Sequence, residues 1–426
     1  MIHSVIVSVA IAACGQADIT SVNDVQDKVD RLVRQLDARD RADRLAAEKE
    51  LIEMGNTILP MLPKIDAATS SEKKDRLTRI RSELEKDAAV QTADASTVTL
   101  SGNMSFTDLL AKIEEQTGNE VVDFRNRFGQ PSDSQMLDVE FKDEPFWKVM
   151  DSVLDQTGLT IYNVSGELRK LALVARPPGE RERSDNASYS GPFRIEATEI
   201  FTQRNLRNPA SEGMRIRLEV MWEPRLLPLS IRQPYANLAI TADDGTELIS
   251  TSPQGTANIP VQSSVAGVDI VVPIELPDRN ATAIESFSGT LFALVPGREV
   301  QFEFDKLENA RGIVQQQSGV TVTLDRVTKN RNIYEIRIRV KLSQESEQAQ
   351  SHLDWAANNE IQLIAPDGKQ IEDPNYERYF ERENEIGFRY LFPLEDDIKT
   401  YKLRYKTPAS MIEVPVEYEI KNIDLP

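Results

Sequence analysis

Residues 191–426 carry one β pattern written twice. Phe193–Ile200 is matched by Val320–Val327, Met214–Val220 by Tyr334–Val340, Asn237–Gly245 by Glu360–Gly368, and Val300–Phe304 by Val414–Tyr418. The segments recur in the same order. Within them apolar and polar residues alternate: Met214, Ile216, Leu218 and Val220 share one face, and Arg215, Arg217 and Glu219 share the other. Period-two alternation is the signature of strands buried on one face, and it pins their register, because a slip of one residue would turn every apolar side chain to water. Asp243-Asp244-Gly245 and Pro366-Asp367-Gly368 are turn signals at equivalent places. A chain with this repeat is expected to fold as two tandem β modules, at 191–305 and 319–426, bridged by 305–318.

The 426 residues suffice for several cores. Acidic residues outnumber basic ones, 69 to 50, for a formal charge of −19. Such a surface repels phosphate backbones, so nucleic acid is not an expected partner. Ile2 to Ala13 is almost wholly apolar, but too short to span a bilayer, which takes about 20 residues. Residues 1–17 are therefore expected to be a signal peptide, although no Lys or Arg precedes Lys28. Gly15-Gln16-Ala17 offers small residues for cleavage before Asp18. Ile11-Ala12-Ala13-Cys14 resembles the lipobox of bacterial lipoproteins, which would make Cys14 a lipidation site and give the chain its one membrane attachment. Cys14 is the single cysteine, so no disulfide is expected.

Residues 20–87 are expected to be helical. Val25, Val29, Leu32, Val33 and Leu36 form one stripe, Arg41–Met54 a second helix ending at Gly55, and Ile58–Ile65 a short third helix interrupted by Pro60 and Pro63. Thr69 to Glu72 has the spacing of a capping box opening a fourth helix with Leu77, Ile80 and Leu84. The run from Val29 to Ile65 resembles a HEAT-like repeat, a unit that cannot bury its face alone.

Residues 98–174 repeat a second pattern. A strand, a helix with Phe106, Leu109, Leu110 and Ile113, and the stop Gln116-Thr117-Gly118 are followed by Leu137–Phe141, a helix with Phe146, Val149, Met150, Val153 and Leu154, and the stop Gln156-Thr157-Gly158. The order β-α-β-β-α-β-β predicts a small α/β sandwich with two helices on one sheet. Glu144–Leu159 resembles the short N-terminal domain of secretins and TonB-dependent transporters. That resemblance implies a periplasmic protein-interaction module, although no plug, barrel or secretin channel is legible downstream. Trp147 lies on the apolar stripe and is expected in the core. Residues 175–190, with Pro177-Pro178-Gly179, read as a linker.

The size and rhythm of the two β modules fit immunoglobulin-like sandwiches, without the cysteine pair or buried tryptophan of antibody domains. The fold class expected is thus multidomain α+β: helical head, α/β sandwich, two tandem β-sandwiches. Arg337 and Arg339 are expected to face solvent. Tyr376, Tyr379, Phe380, Phe388 and Tyr390 are expected to send alternate rings into a core.

Catalytic signatures are not found. His3 and His352 are the two histidines, too few for a zinc cluster. No Gly-x-Ser-x-Gly elbow, phosphate-binding loop or Asp-rich calcium loop occurs. Acidic clusters such as Glu395-Asp396-Asp397 read as solvated turns, and a spatially assembled carboxylate pair leaves no local trace. No cofactor and no catalytic residue is expected. The function expected is a non-catalytic extracytoplasmic binding or scaffold protein of the bacterial envelope, with envelope proteins as partners. The alternatives are an accessory component of a secretion or TonB-dependent uptake system, and a carbohydrate-binding protein or carbohydrate-active enzyme.

Overall fold

The structure, a computed structural model, describes residues 16–63, 65, 69–132, 135–167, 169–184, 187–208, 212–262, 265–342, 353–372, 374–382, 384–394 and 396–426. Cys14, His3, His352 and most of the expected signal segment lie outside them. The chain is α+β and divides into two compact units after Ala88.

The first unit is built on α1 (Gln16–Gln35), α2 (Arg41–Glu53) and α3 (Ser71–Thr92). Val29, Leu32, Val33 and Leu36 meet Leu51, Ile58, Leu77, Ile80 and Leu84 in one core, while Val25 and Leu45 remain outside it. Gly55 adopts φ 77, a positive value that costs glycine little. The expected third helix is a 3-10 turn over Asn56–Met61, since Pro60 removes a donor from any longer helix. The cap of α3 sits one residue later than the capping box implied: Ser70 Oγ accepts from Lys73 N at 3.3 Å. Glu48 binds Arg79 and Arg76. Burial works to raise its carboxyl, but those two guanidinium groups hold it below the ordinary value.

The second unit opens with β1 (Thr97–Ser105), α4 (Phe106–Thr117), β2 (Glu120–Asp123), β3 (Met136–Pro145), α5 (Phe146–Thr157), β4 (Leu159–Ile161) and β5 (Lys170–Ala175). The internal repeat is visible in hydrogen bonds. Thr117 Oγ1 and Thr157 Oγ1 each donate to the carbonyl four residues earlier at 2.7 Å, and Gly118 and Gly158 both end their helices in the left-handed region. One expectation is corrected. The strands form two sheets, an antiparallel β1–β3 pair and a three-stranded β2–β5–β4 sheet in which β2 runs parallel to β5. Helix α4 lies against β1 and β2, and α5 against β1, β3 and β4, so both helices contact strands of both sheets. Helices apolar enough to bury Phe106, Ile113, Phe146, Trp147 and Leu154 together need cover on more than one side.

The remainder is β. A four-stranded sheet joins β6 (Ala187–Ser190), β7 (Phe193–Gln203), β8 (Gly213–Trp222) and β13 (Gly267–Ile274) in the order 13-8-7-6. A five-stranded sheet joins β15 (Arg311–Gln317), β16 (Val320–Asn330), β17 (Ile333–Leu342), β21 (Glu385–Pro393) and β20 (Asn375–Arg382) in the order 15-16-17-21-20. Both face one long sheet, ordered 11-10-14-22-18-19. Its strands are β11 (Glu247–Leu248), β10 (Ala239–Ala242), β14 (Ala283–Phe304), β22 (Lys402–Asp424), β18 (Ile361–Ile364) and β19 (Gln370–Ile371). The antiparallel pair of β9 (Ser230–Pro234) and β12 (Thr256–Pro260) adds to it through β14.

The duplication extends to fine detail. The β7–β8 pairing shifts between Ala197 and Glu199, and the β16–β17 pairing shifts at the equivalent Leu324 and Arg326. The turns at Gly245 and Gly368 have φ 84 and 85 and the same Gly N to Ala O bond, 2.9 Å in each.

Yet neither module closes on its own strands. β14 and β22 pair antiparallel from Ala283–Asp424 through to Phe304–Leu403. The far half of β14 carries Val300, Phe302 and Phe304 into the core formed by β16, β17 and β21. The far half of β22 carries Val416, Tyr418 and Ile420 into the core formed by β7, β8 and β13. The spans 191–305 and 319–426 are therefore interlocked.

A substitution separates chain position from core membership. Phe302 belongs to the first span by sequence and to the second core by packing. Phe302→Ala should destabilise the β unit by about 3–5 kcal/mol, and native-state hydrogen exchange should rise in β17 and β21 more than in β8 and β13. Preferential loss of protection in β8 and β13 would contradict the interlock.

Candidate functional site

The most concentrated polar chemistry lies where the α/β domain meets the first β module. Asp151, on α5, is 0% exposed. Its carboxylate accepts from Arg194 Nε at 2.7 Å, Tyr189 OH at 2.6 Å and Arg183 Nε at 3.2 Å. Arg194 is also 0% exposed and reaches Glu196 at 2.6 Å. Burial alone would push its guanidinium pKa down; Asp151 and Glu196 more than offset this and raise it, keeping the charge. Glu219 adds a further acceptor, 2.8 Å from Asn163 Nδ2. Next to it, Asp155 binds Arg176 and accepts from Arg183 N at 2.9 Å and Ser184 N at 2.9 Å. Burial opposes the charge on Asp155, and these donors hold its pKa below the ordinary carboxylate value.

A second cluster flanks the first. Glu223 is 0% exposed and accepts from Ser96 N at 2.8 Å, Ser96 Oγ at 2.6 Å, Asn119 Nδ2 at 3.0 Å and Arg225 Nε at 2.6 Å. Between the clusters, Trp147 Nε1 donates to Pro192 O at 2.9 Å. Gly191 has φ +54, and a Cβ there would stand 2.8 Å from Ala93 O, so glycine lets the two chain segments touch.

This joint corrects the reading of 175–190 as a linker. Arg183 is 9% exposed, and residues 187–190 pair with β7. An arginine and a carboxylate buried together hold the segment far more tightly than Pro-Pro-Gly punctuation suggests. Trp147, expected in the core, is 1% exposed and also anchors the joint.

The other singled-out residues are placed as follows. Phe388 and Tyr390 are buried, and Tyr376 packs edge-on against Phe388 but is 48% exposed. Tyr379 and Phe380 lie on the outer face, where Arg337 and Arg339 stand 5.2 Å from their rings. Asp325 accepts from Arg339 Nε at 2.8 Å and from the Tyr379 hydroxyl. Arg337 and Arg339, expected to face solvent, are thus half covered by aromatic rings. Asp397 caps a 3-10 turn by accepting from Lys399 N at 3.2 Å.

Two open depressions, beside Lys28 and Glu50 and beside Glu303 and Arg404, contain no histidine, cysteine or serine. Among the described residues no cluster of His, Cys, Asp and Glu is arranged for a metal, and no helix is long and apolar enough to cross a membrane. Exposed apolar residues also belong to the α/β domain. Phe128 is 50% exposed with its ring 5.1 Å from that of Tyr162, and Val164 is 70% exposed.

Sequence reasoning missed Asp151, Arg183, Arg194 and Glu223. Only Glu223, set between Trp222 and Pro224 at a strand end, carried a local signal. No known protein family, curated protein or solved structure matches the chain.

The chemistry of the joint can be tested by substitution and by pH. Asp151→Ala leaves Arg194 buried without its main partner and should cost about 3–5 kcal/mol, whereas Asp269→Ala, on an exposed strand, should shift stability by less than about 0.5 kcal/mol; chemical denaturation measures both. The Asp155 pKa is depressed in the folded state. Its contribution is complete above the unfolded value, near 3.8, and is lost as pH falls through the folded value. Asp155→Asn should therefore flatten the acid limb of the stability profile below about pH 4 and leave the slope above about pH 6 unchanged.

Proposed function

We propose that this chain is a non-catalytic binding or scaffold protein of the bacterial cell envelope, exported by its N-terminal segment. The observation that carries the reading is the joint. Its buried ions hold one domain against another, which suits a protein that presents surfaces at fixed angles rather than one that turns over a substrate. The two cores flanking the long sheet are read as immunoglobulin-like sandwiches, architectures that serve such presentation. The half-exposed Phe128, its ring against that of Tyr162, is the docking point this reading selects, since aromatic side chains are enriched among the residues that anchor interfaces.

A second reading rests on residues 98–174, within which Glu144–Leu159 resembles the short N-terminal domain of secretins and TonB-dependent transporters. On it the chain is an accessory of a secretion or uptake system, with secretin, TonB or transporter components as partners.

The test is recovery of the full-length chain from native envelopes after reversible cross-linking, with the mass of its mature N-terminus. Envelope proteins should accompany the wild type, and a Phe128→Ser/Tyr162→Ser chain of unchanged thermal stability should lose them by about tenfold or more. Recovery of secretin, TonB or transporter components selects the second reading. An uncleaved Met1 in cytosol, or a turnover abolished by a carboxylate substitution, would sink both.

A further inference from the structure

We infer that β15 is a self-pairing edge through which two copies of this chain associate. Exposed strand edges are templates for other strands, and folded proteins blunt them by shortness, charge, proline, bulges or cover. Almost every edge here is blunted in one of these ways. β11 and β19 have two residues each. β6 has four, and its Ser188 Oγ accepts from Glu419 N at 3.1 Å. β2 and β4 have four and three. β13 carries Asp269 and Pro273, and β12 stops at Pro260. β20 is bulged between Arg378 and Phe380 and carries Glu377, Glu381 and Arg382. β3 carries Asp138, Glu140 and Lys142. β1 is bulged, and the Gln116 amide takes up both Thr99 N–H, at 2.9 Å, and Thr99 C=O, at 3.2 Å.

Past Arg311 and Gly312, which is kinked at φ +63, β15 has none of these devices. It runs seven residues, Arg311-Gly-Ile-Val-Gln-Gln-Gln317, with neither proline nor charge after Arg311. It pairs with β16 at Arg311 and from Ile313 to Gln317 on one side, and no strand among the described residues pairs with the other. Val314 is 60% exposed and Ile313 36%.

The occupant is a second β15, because the strand is complementary to itself. Antiparallel pairing about a two-fold at Val314 sets Arg311 opposite Gln317, Gly312 opposite Gln316 and Ile313 opposite Gln315. No like charges meet, and the two exposed valines face each other. This isologous geometry closes after two copies. The chain already uses it internally, where the equivalent strands β14 and β22 of the two β modules pair antiparallel. A seven-residue pair buries less than the roughly 1,200 Å2 of a standard stable interface, so the dimer should form in the micromolar range. The inference is independent of the functional reading.

The experiment is sedimentation of the full chain across a concentration series, with two variants. Val314→Lys puts like charges face to face and should weaken the dimer by about tenfold or more, with the thermal midpoint unchanged because the side chain is exposed. Val314→Cys in a Cys14→Ser background should cross-link on mild oxidation, since directly opposed strand residues lie within disulfide reach; Val271→Cys in the same background, on another exposed strand, should not. A chain that stays monomeric throughout, or dimers that survive Val314→Lys while the thiol introduced by Val314→Cys stays unlinked, overturn the inference.

Discussion

The antiparallel pairing of β14 with β22 is the constraint on which the β half of the molecule depends. Residues 283–296 pair with 411–424, and 298–304 with 403–409, so one ladder runs through both halves of the long sheet. Each strand begins in one core and ends in the other. A ladder of this length pairs backbone donors and acceptors along both strands, except at Pro296, Pro408 and Pro415, which have no N–H, and breaking it would leave buried groups unpaired. The two cores therefore share a wall, and Tyr418 illustrates how closely. It comes from the chain's last strand, stacks near Phe287, and donates its hydroxyl to Gln233 at 2.9 Å inside the first core.

The α/β domain is fixed to the four-stranded sheet, through β6, β7 and β8, by ions rather than by grease alone. Met221 of β8 joins the apolar core of the α/β domain, but around it Asp151, Arg183 and Arg194 are removed from bulk water and Glu219 is partly so. Buried charge is tolerated only where geometry supplies each ion with partners, and it penalises any other arrangement of the same surfaces. The joint thus contributes orientation more than stability. The second β module solves the same problem differently: its outer carboxylate, Asp325, belongs to its own sheet and is met by Arg339 and Tyr379 of that sheet. Its face is satisfied without another domain, consistent with one module being covered and its duplicate left open.

Much of the local structure was legible. Both Gln-Thr-Gly stops end helices at left-handed glycines, the alternation in Met214–Val220 buries the expected face, and the matched turns at Gly245 and Gly368 are superposable in their bonding. These are short-range facts, set by residues within a turn or a strand of one another. Charges misled where cover came from afar. Glu219 and Arg194 occupy the polar face of alternating strands, which ordinarily means water; a helix more than forty residues away in sequence occupies that space instead. The stretch at 175–190 misled for the same reason, since Arg183 becomes a buried ion only when α5 and β7 are both in place.

The sequence by itself determined which residues form strands and helices, that the β unit is present twice, and which face of each strand is apolar, because periodicity and turn chemistry are local. It could not say that the duplicates exchange strands. Val300–Phe304 and Val414–Tyr418 are equivalent in pattern, and either could have completed its own module or its neighbour's. That choice was made by β14 and β22 running on past the middle of the long sheet, where one continuous ladder replaces two separate edges. The tertiary structure alone decided it, since strand pairing is an interaction between segments whose distance along the chain leaves no mark in either.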